Sequence, residues 1–280
     1  WYSRLGWGNE ILESIDLIDI HNIREKLSTG SLASISRIVI LEEVDSTSSE
    51  VSRKLAEEPG SVVLCLAEKQ TAGRGRAGRV WHSPLSGNIY LSLSWTYSEL
   101  DEGFHGLSLA IGVAILKTLE AFGYSDLKLK WPNDIIVRGS KLGGVLVEIT
   151  GDINSSFNVI IGVGINVNMS NQEGSVIGRS WIDLASMKKG SPPSRNDLIA
   201  AIVDQLIDLL SSFSKRGFAF WRDSWLERDA YLGEQVKVIS GKNKLIGVSR
   251  GVGFDGALLL ESSDGLLHIR VGDISLRRYP

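Results

Sequence analysis

The sequence predicts an α+β fold: a mixed β-sheet carrying helices, followed by a small β-barrel. Three observations predict it. Between residues 37 and 163 short apolar runs of strand length are broken by turn residues and one long apolar helix. Leu198–Phe213 has its apolar residues (Ile199, Ile202, Leu206, Leu209, Phe213) in helical register. Beyond Ala230, short strands recur at even spacing between Gly- and Asp-bearing turns, the pattern of a small barrel.

In order, the opening 1–30 carries aromatics, glycines and a short helix near Asp19–Leu27. Arg37–Leu41 reads as the first strand. Thr47-Ser48-Ser49-Glu50 has the form of a capping box, with Val51 and Leu55 as the apolar stripe of the helix it starts. Ser61–Ala67 and Gly87–Trp95 read as strands. Phe104–Phe122 reads as a helix with Leu107, Ala110, Ile111, Ala114 and Thr118 on one face, ended by Gly123. Asp126–Trp131 is a strand stopped at Pro132. Ile135–Val137 and Lys141–Thr150 form a hairpin across Arg138-Gly139-Ser140, and Val159–Val163 is a strand covered on both faces. Residues 170–193 are polar and irregular, and a Trp-bearing helix is expected at Phe218–Arg228. Strands at Gln235–Ser240, Lys244–Val252, Ala257–Glu261 and Leu266–Val271 complete the chain.

The 280 residues suffice for an enzyme domain and a smaller partner. With 43% hydrophobic and 22% charged residues the composition is that of a globular protein. A net charge of −3 argues against a general nucleic-acid binder, so the cations at Arg74, Arg76 and Arg79 are a local feature. Cys65, the single cysteine, excludes an intramolecular disulfide and lies in an apolar run that reads as a buried strand. No run approaches the ~18–20 apolar residues of a membrane span and no signal peptide is visible, so a cytoplasmic protein is expected. Residue 1 is Trp rather than Met, which predicts a cut, processed or renumbered start.

The chemistry concentrates in Glu68–Trp81, where glycines alternate with arginines: Gly73-Arg74-Gly75-Arg76-Ala77-Gly78-Arg79. Glycine lets the main chain approach a ligand, and arginine offers planar donors for phosphate or carboxylate. Four further motifs accompany the loop: Val44-Asp45-Ser46-Thr47, Lys130-Trp131-Pro132-Asn133-Asp134, Lys141-Leu142-Gly143-Gly144-Val145-Leu146-Val147-Glu148 and Gly162-Val163-Gly164-Ile165-Asn166-Val167-Asn168. Four histidines without ligand spacing offer no zinc site.

In this order and spacing the five motifs resemble the biotin–protein ligases, the biotin–[acetyl-CoA-carboxylase] ligase family, from about Ile38 to the C-terminus. The resemblance implies a class II synthetase-like catalytic domain and an SH3-like barrel, with boundaries at 1–30, 31–229 and 230–280. It also implies the reaction. Biotin and ATP with Mg²⁺ give biotinyl-5′-AMP, and a lysine of a biotin carboxyl carrier protein or domain then takes the biotinyl group. By the same resemblance Ser46, Thr47, Ser48, Gln70, Gly73, Arg74, Gly75, Arg76, Lys141, Gly143 and Gly144 bind biotin. Lys141, Arg76, Arg74 and Lys130 are the catalytic cations. Arg79, Trp81, Lys130, Asn133 and Asn166 bind ATP or the adenylate, and Asp134 is a candidate Mg²⁺ ligand and a candidate base for the acceptor amine. The loop is expected to order over ligand as a lid. Ser48 departs from the family, which often has Asn there, leaving that contact open.

In bifunctional members a winged helix-turn-helix domain precedes the catalytic one. Residues 1–30 cannot hold it, so they read as a wing remnant or a plain leader, and no DNA binding is expected of this chain. Pairing through the catalytic sheet, as in many members, is left open. A lipoate–protein ligase is the nearest alternative reading. A biotin-responsive regulator would need an upstream DNA-binding domain. A nucleic-acid module built on the arginine loop fits poorly with the negative net charge.

Overall fold

A computed structural model describes residues 16–85, 87–97, 104–151, 156–169, 171–188, 191–240, 243–270 and 274–279. Two short helices, α1 (Ile20–Lys26) and α2 (Thr29–Ser34), lead into β1 (Arg37–Val44), α3 (Thr47–Glu57), β2 (Val63–Gln70) and β3 (Ile89–Tyr97). Helix α4 (Leu107–Ala121) precedes β4 (Leu127–Lys130), β5 (Asp134–Val137), β6 (Ser140–Gly151) and β7 (Phe157–Ile165). After two single turns come α5 (Arg195–Arg216) and α6 (Arg222–Leu226). These strands form a seven-stranded sheet in the order β1-β2-β3-β7-β6-β5-β4, parallel between β1 and β2 and antiparallel elsewhere. The parallel step needs a crossover, and α3 supplies it.

Strand alternation sends β2 side chains to two cores. Leu64 and Leu66 join the large core with α4 and α5, whereas Val63 and Cys65 meet Val51 and Leu55 of α3 beneath Ile160. Burial pushes the Cys65 thiol up to about 12, so it packs as an apolar residue, as expected. Helix α4 departs from the one-faced reading. Leu109, Val113, Ile115, Leu116 and Leu119 are buried as well as the expected stripe, because α4 lies between the sheet and α5. It starts three residues later than expected, since Gly106 at its N-cap is left-handed (φ 80°).

The second sheet has five antiparallel strands: β8 (Gln235–Ser240), β9 (Asn243–Val252), β10 (Leu258–Ser262), β11 (Gly265–Ile269) and β12 (Ile274–Arg278), in the order β11-β10-β9-β8-β12. Strand β12, whose two arginines hid its apolar residues Ile274 and Leu276, was not expected. The sheets are joined tightly. Leu129 N donates to Arg228 O, Ala230 N donates to Leu129 O, and the Trp131 indole donates to Gly256 O at 3.1 Å. No helix among the described residues is long and apolar enough to cross a membrane.

Candidate active site

One cavity gathers most of the predicted residues. It is lined by Ser46, Thr47, Ser48, Gln70, Arg74, Gly75, Arg76, Arg79, Trp81, Lys130, Asn133, Asp134, Lys141 and Gly144. Gly162, Gly164 and Arg179, and Leu276 of the second sheet, also line it and were missed.

Its polar floor is built where α3 starts beside β2 and β3. The capping-box reading is corrected here. Ser46, not Thr47, is the N-cap, and its side chain caps no backbone amide. Thr47 turns its hydroxyl to Ser92 Oγ at 2.7 Å, and its backbone N–H donates to Gln70 Oε1 at 2.9 Å. Ser48 Oγ reaches Ser92 at 3.0 Å, and Gln70 Nε2 donates to Ser83 Oγ at 2.9 Å. Glu50 pairs with Arg53 instead of reaching back to the cap. Arg53 also holds the Asp45 carboxyl down to about 2. Hydroxyls freed from capping, buried and facing a cavity are hydrogen-bonding equipment for a small polar ring. Ser92 belongs to this cluster, and only its alternating polarity in β3 hinted at an inward polar face.

The floor passes into a strip without side chains. Gly144 and Gly164 are cross-strand partners on β6 and β7, and the Trp81 ring lies against both. A Cβ at Gly164 would stand 2.5 Å from the indole, so only glycine admits the ring. Gly143 lies outside the cavity. A Cβ there would meet Gly164 O at 2.9 Å, so its smallness serves strand packing.

The Gly/Arg loop is a tight excursion closed by Trp81 N to Gly73 O (2.9 Å) and Gly75 N to Arg79 O (2.7 Å), with Ala77 and Gly78 left-handed at its tip. Gly73 does not line the cavity. A Cβ there would meet Trp81 O at 2.5 Å, so it lets the two ends of the loop cross. Arg74 straps the loop to the body, donating to Ser49 Oγ at 2.6 Å and to Glu148 at 2.8 Å. Arg79 donates back to Arg76 O at 3.0 Å.

At the far end lies a cationic cluster. Lys141 at the start of β6 is ion-paired with Asp134, whose other oxygen is 3.9 Å from Lys130. The Lys141 and Asp134 side chains are only 13% and 18% exposed. Burial lowers the Lys141 ammonium below the usual lysine range against the pull of Asp134, and Arg179 and Lys130 add to the lowering. Burial likewise lowers Lys130. Burial by itself would raise Asp134, but Lys141, then Lys130 and Arg179, hold it below the usual carboxylate range. One carboxylate among three cations leaves a net positive seat suited to phosphate. Lys141 also lies 4.9 Å from the centroid of the Trp81 ring.

Asp134 is therefore a counter-ion to Lys141 and Lys130. Both its oxygens face ammonium groups, and no cluster of three His, Cys, Asp or Glu able to hold a metal exists among the described residues. Asn166 is not among the residues lining this cavity, and its amide donates to Lys141 O (3.3 Å) and Ile182 O (3.1 Å). Asn133 lines the cavity but spends its amide on Val145 O at 2.6 Å.

Residues 41–166 match the Biotin/lipoate A/B protein ligase family, and 231–277 match the Biotin protein ligase C terminal domain. The chain is 37% identical over 273 residues to the bifunctional ligase/repressor BirA of Escherichia coli, covering 97% of this chain and 82% of that one. The biotin–[acetyl-CoA-carboxylase] ligase of Mycobacterium tuberculosis is 28% identical over 92% of this chain and 95% of its own. Among solved structures, the biotin protein ligase of Aquifex aeolicus in complex with biotin and ATP superposes with a TM-score of 0.72. It is 29% identical and covers 88% of this chain and all of that one.

Proposed function

The chain belongs to the biotin protein ligase family, and on that premise we propose how its cavity carries out ATP-dependent attachment of biotin to a lysine of a biotin carboxyl carrier domain. A biotin carboxylate oxygen attacks the α-phosphorus of MgATP. The bond from that phosphorus to the bridging oxygen breaks, and pyrophosphate leaves with the electron pair. The acceptor ε-amine, having lost its proton, then attacks the acyl carbon of biotinyl-5′-AMP, and the carbon–oxygen bond to AMP breaks. Mg²⁺ enters with the nucleotide phosphates as part of the substrate.

The observation that carries this reading is the pairing of two subsites in one cavity. The Ser46–Ser48 and Gln70 floor suits the ureido ring, and the Lys141–Asp134–Lys130 cluster suits a carboxylate and a phosphate brought together. Lys141 takes the role of the cation between them, stabilising charge that builds on the α-phosphate. The Gly144–Gly164 strip seats Trp81, and Trp81 with the arginine loop keeps water from the mixed anhydride. Asp134, held well ionised, is a weak base, and its part is to position Lys141. Leu276 of the second sheet lines the wall of the site, which supports counting that sheet in the enzyme. A cytoplasmic location fits these substrates.

ATP–pyrophosphate exchange, with biotin and lipoate offered separately, tests the reading. Exchange with biotin alone supports it. Exchange with lipoate alone would assign the cavity to the rival acid, and exchange with neither would remove adenylation.

A further inference from the structure

We propose that Arg179 is a further substrate-contacting residue, which seats the β- and γ-phosphates of ATP, and the pyrophosphate they become, at the mouth of the cavity. The inference rests on the adenylation reading above. Nothing in the local sequence marks this arginine, which lies in the polar stretch between β7 and α5. Its placement comes from the backbone. Lys141 N donates to Ser180 O and Ile182 N donates to Lys141 O, both at 3.0 Å, so residues 180–182 run alongside the essential lysine as a short parallel bridge. Asn166 clamps that bridge by donating to Lys141 O and Ile182 O. Trp181 closes the turn behind it, donating its indole N–H to Gly174 O at 3.0 Å while its ring fills the space a Cβ at Gly174 would need. Arg179 therefore stands two residues from a position fixed to Lys141 itself.

The depth of the cations assigns the part of the ligand. Lys141 is the deepest, with a side chain 13% exposed; Lys130 follows at 23%; and Arg179 is exposed while still lining the cavity. The α-phosphorus must meet the biotin carboxylate and so lies with Lys141. The remaining phosphates then run outward past Lys130 to the mouth. Asp134, the carboxylate of the cluster, is already engaged by the two lysines. Arg179 makes no ion pair with any described residue, so its guanidinium is available for a bidentate contact with phosphate oxygens.

The test uses the full chain and two variants, Arg179→Ala and Arg179→Lys. In exchange assays Arg179→Ala should raise the KM for MgATP and for pyrophosphate by on the order of tenfold, with the KM for biotin within twofold of the parent. Direct titration should show weakened binding of a non-hydrolysable ATP analogue and unchanged binding of AMP, which lacks the outer phosphates. Arg179→Lys should recover part of the loss. Unchanged KM values for MgATP and pyrophosphate, or an equal loss for AMP and the ATP analogue, would overturn the assignment. Absence of biotin-dependent exchange in the parent chain would instead sink the adenylation reading, and the analogue titration would still judge Arg179 separately.

Discussion

Lys141 shows how a residue's setting makes its chemistry. A lysine at a hairpin strand is ordinarily solvated, yet here it is buried, paired with Asp134 and bracketed by Trp81. Lys141→Ala should lower the rate of adenylate formation by about 100-fold or more, the scale of losing one preorganised charge donor, with the fold retained. Single-turnover adenylate formation beside a thermal melt checks this, and near-normal turnover would take Lys141 out of the site. Gly164 offers a steric test. Gly164→Ala would put a methyl group into the Trp81 ring, so the indole must move off the strip. Biotin affinity should fall while the unfolding midpoint shifts little, which calorimetric titration and denaturant melts would read together. At this scale the residue types were legible but several contacts were not. Ser46 and Thr47 looked like capping residues because hydroxyls suit both tasks, and only the turn of α3 against β2 and β3 aims them at the cavity.

Among elements, the arginine loop and α5 depend on polar contacts spanning long sequence separations. Arg76 lines both the active cavity and the cleft beside it. Arg76→Ala should raise the ATP and biotin requirement and release adenylate into solvent, measured as free biotinyl-AMP during turnover without acceptor; unchanged retention would contradict the lid role. At the start of α5, Arg195 forms an ion pair with Glu68 of β2 at 2.8 Å, with side chains only 2% and 1% exposed. The same guanidinium donates to Asn88 O and Asp16 O, while Glu68 accepts from Ile18 N. The pair thus ties the segment ahead of α1 to the sheet. Removing one partner strands a charge, so Arg195→Met should cost about 3–5 kcal/mol, and Arg195→Met with Glu68→Leu should recover much of it. Urea unfolding of the single and double variants measures both; equal losses would deny the coupling. Helix α5 was legible from its apolar period, but the ion pair at its first residue was not, because Glu68 and Arg195 meet only through the fold.

For the molecule as a whole, the join between the two sheets carries a titrating group. Asp229 is buried beside Leu129, accepts from Tyr231 N at 2.9 Å through Oδ1, and leaves Oδ2 without a hydrogen bond. Burial raises its carboxyl from the usual 3.8 to about 6. A carboxyl whose folded value is raised binds its proton more tightly when folded. Its contribution is therefore complete below the unfolded value and is lost as pH climbs through about 6. The whole loss is about 3 kcal/mol, because each tenfold gain in proton affinity on folding is worth about 1.4 kcal/mol. Asp229→Asn should flatten the stability profile between about pH 4 and 6, seen in melts across pH. A variant curve parallel to the parent would exclude Asp229 as the source.

Local pattern carried the α+β class, the β5–β6 hairpin, the α5 helix and the five motifs of the site, because side-chain periodicity, turn residues and glycine placement act over a few residues. Tertiary structure alone decided what meets what. It set Asp134 against Lys141 as a counter-ion, and it set the Asn166 amide as a clamp on the Lys141 backbone. It also brought Arg179 and Leu276 to the cavity from segments with no motif of their own. The physical reason is that charge pairing and desolvation depend on distances across the fold, and those distances are set by how the strands are ordered in the sheet and by how the second sheet docks against it.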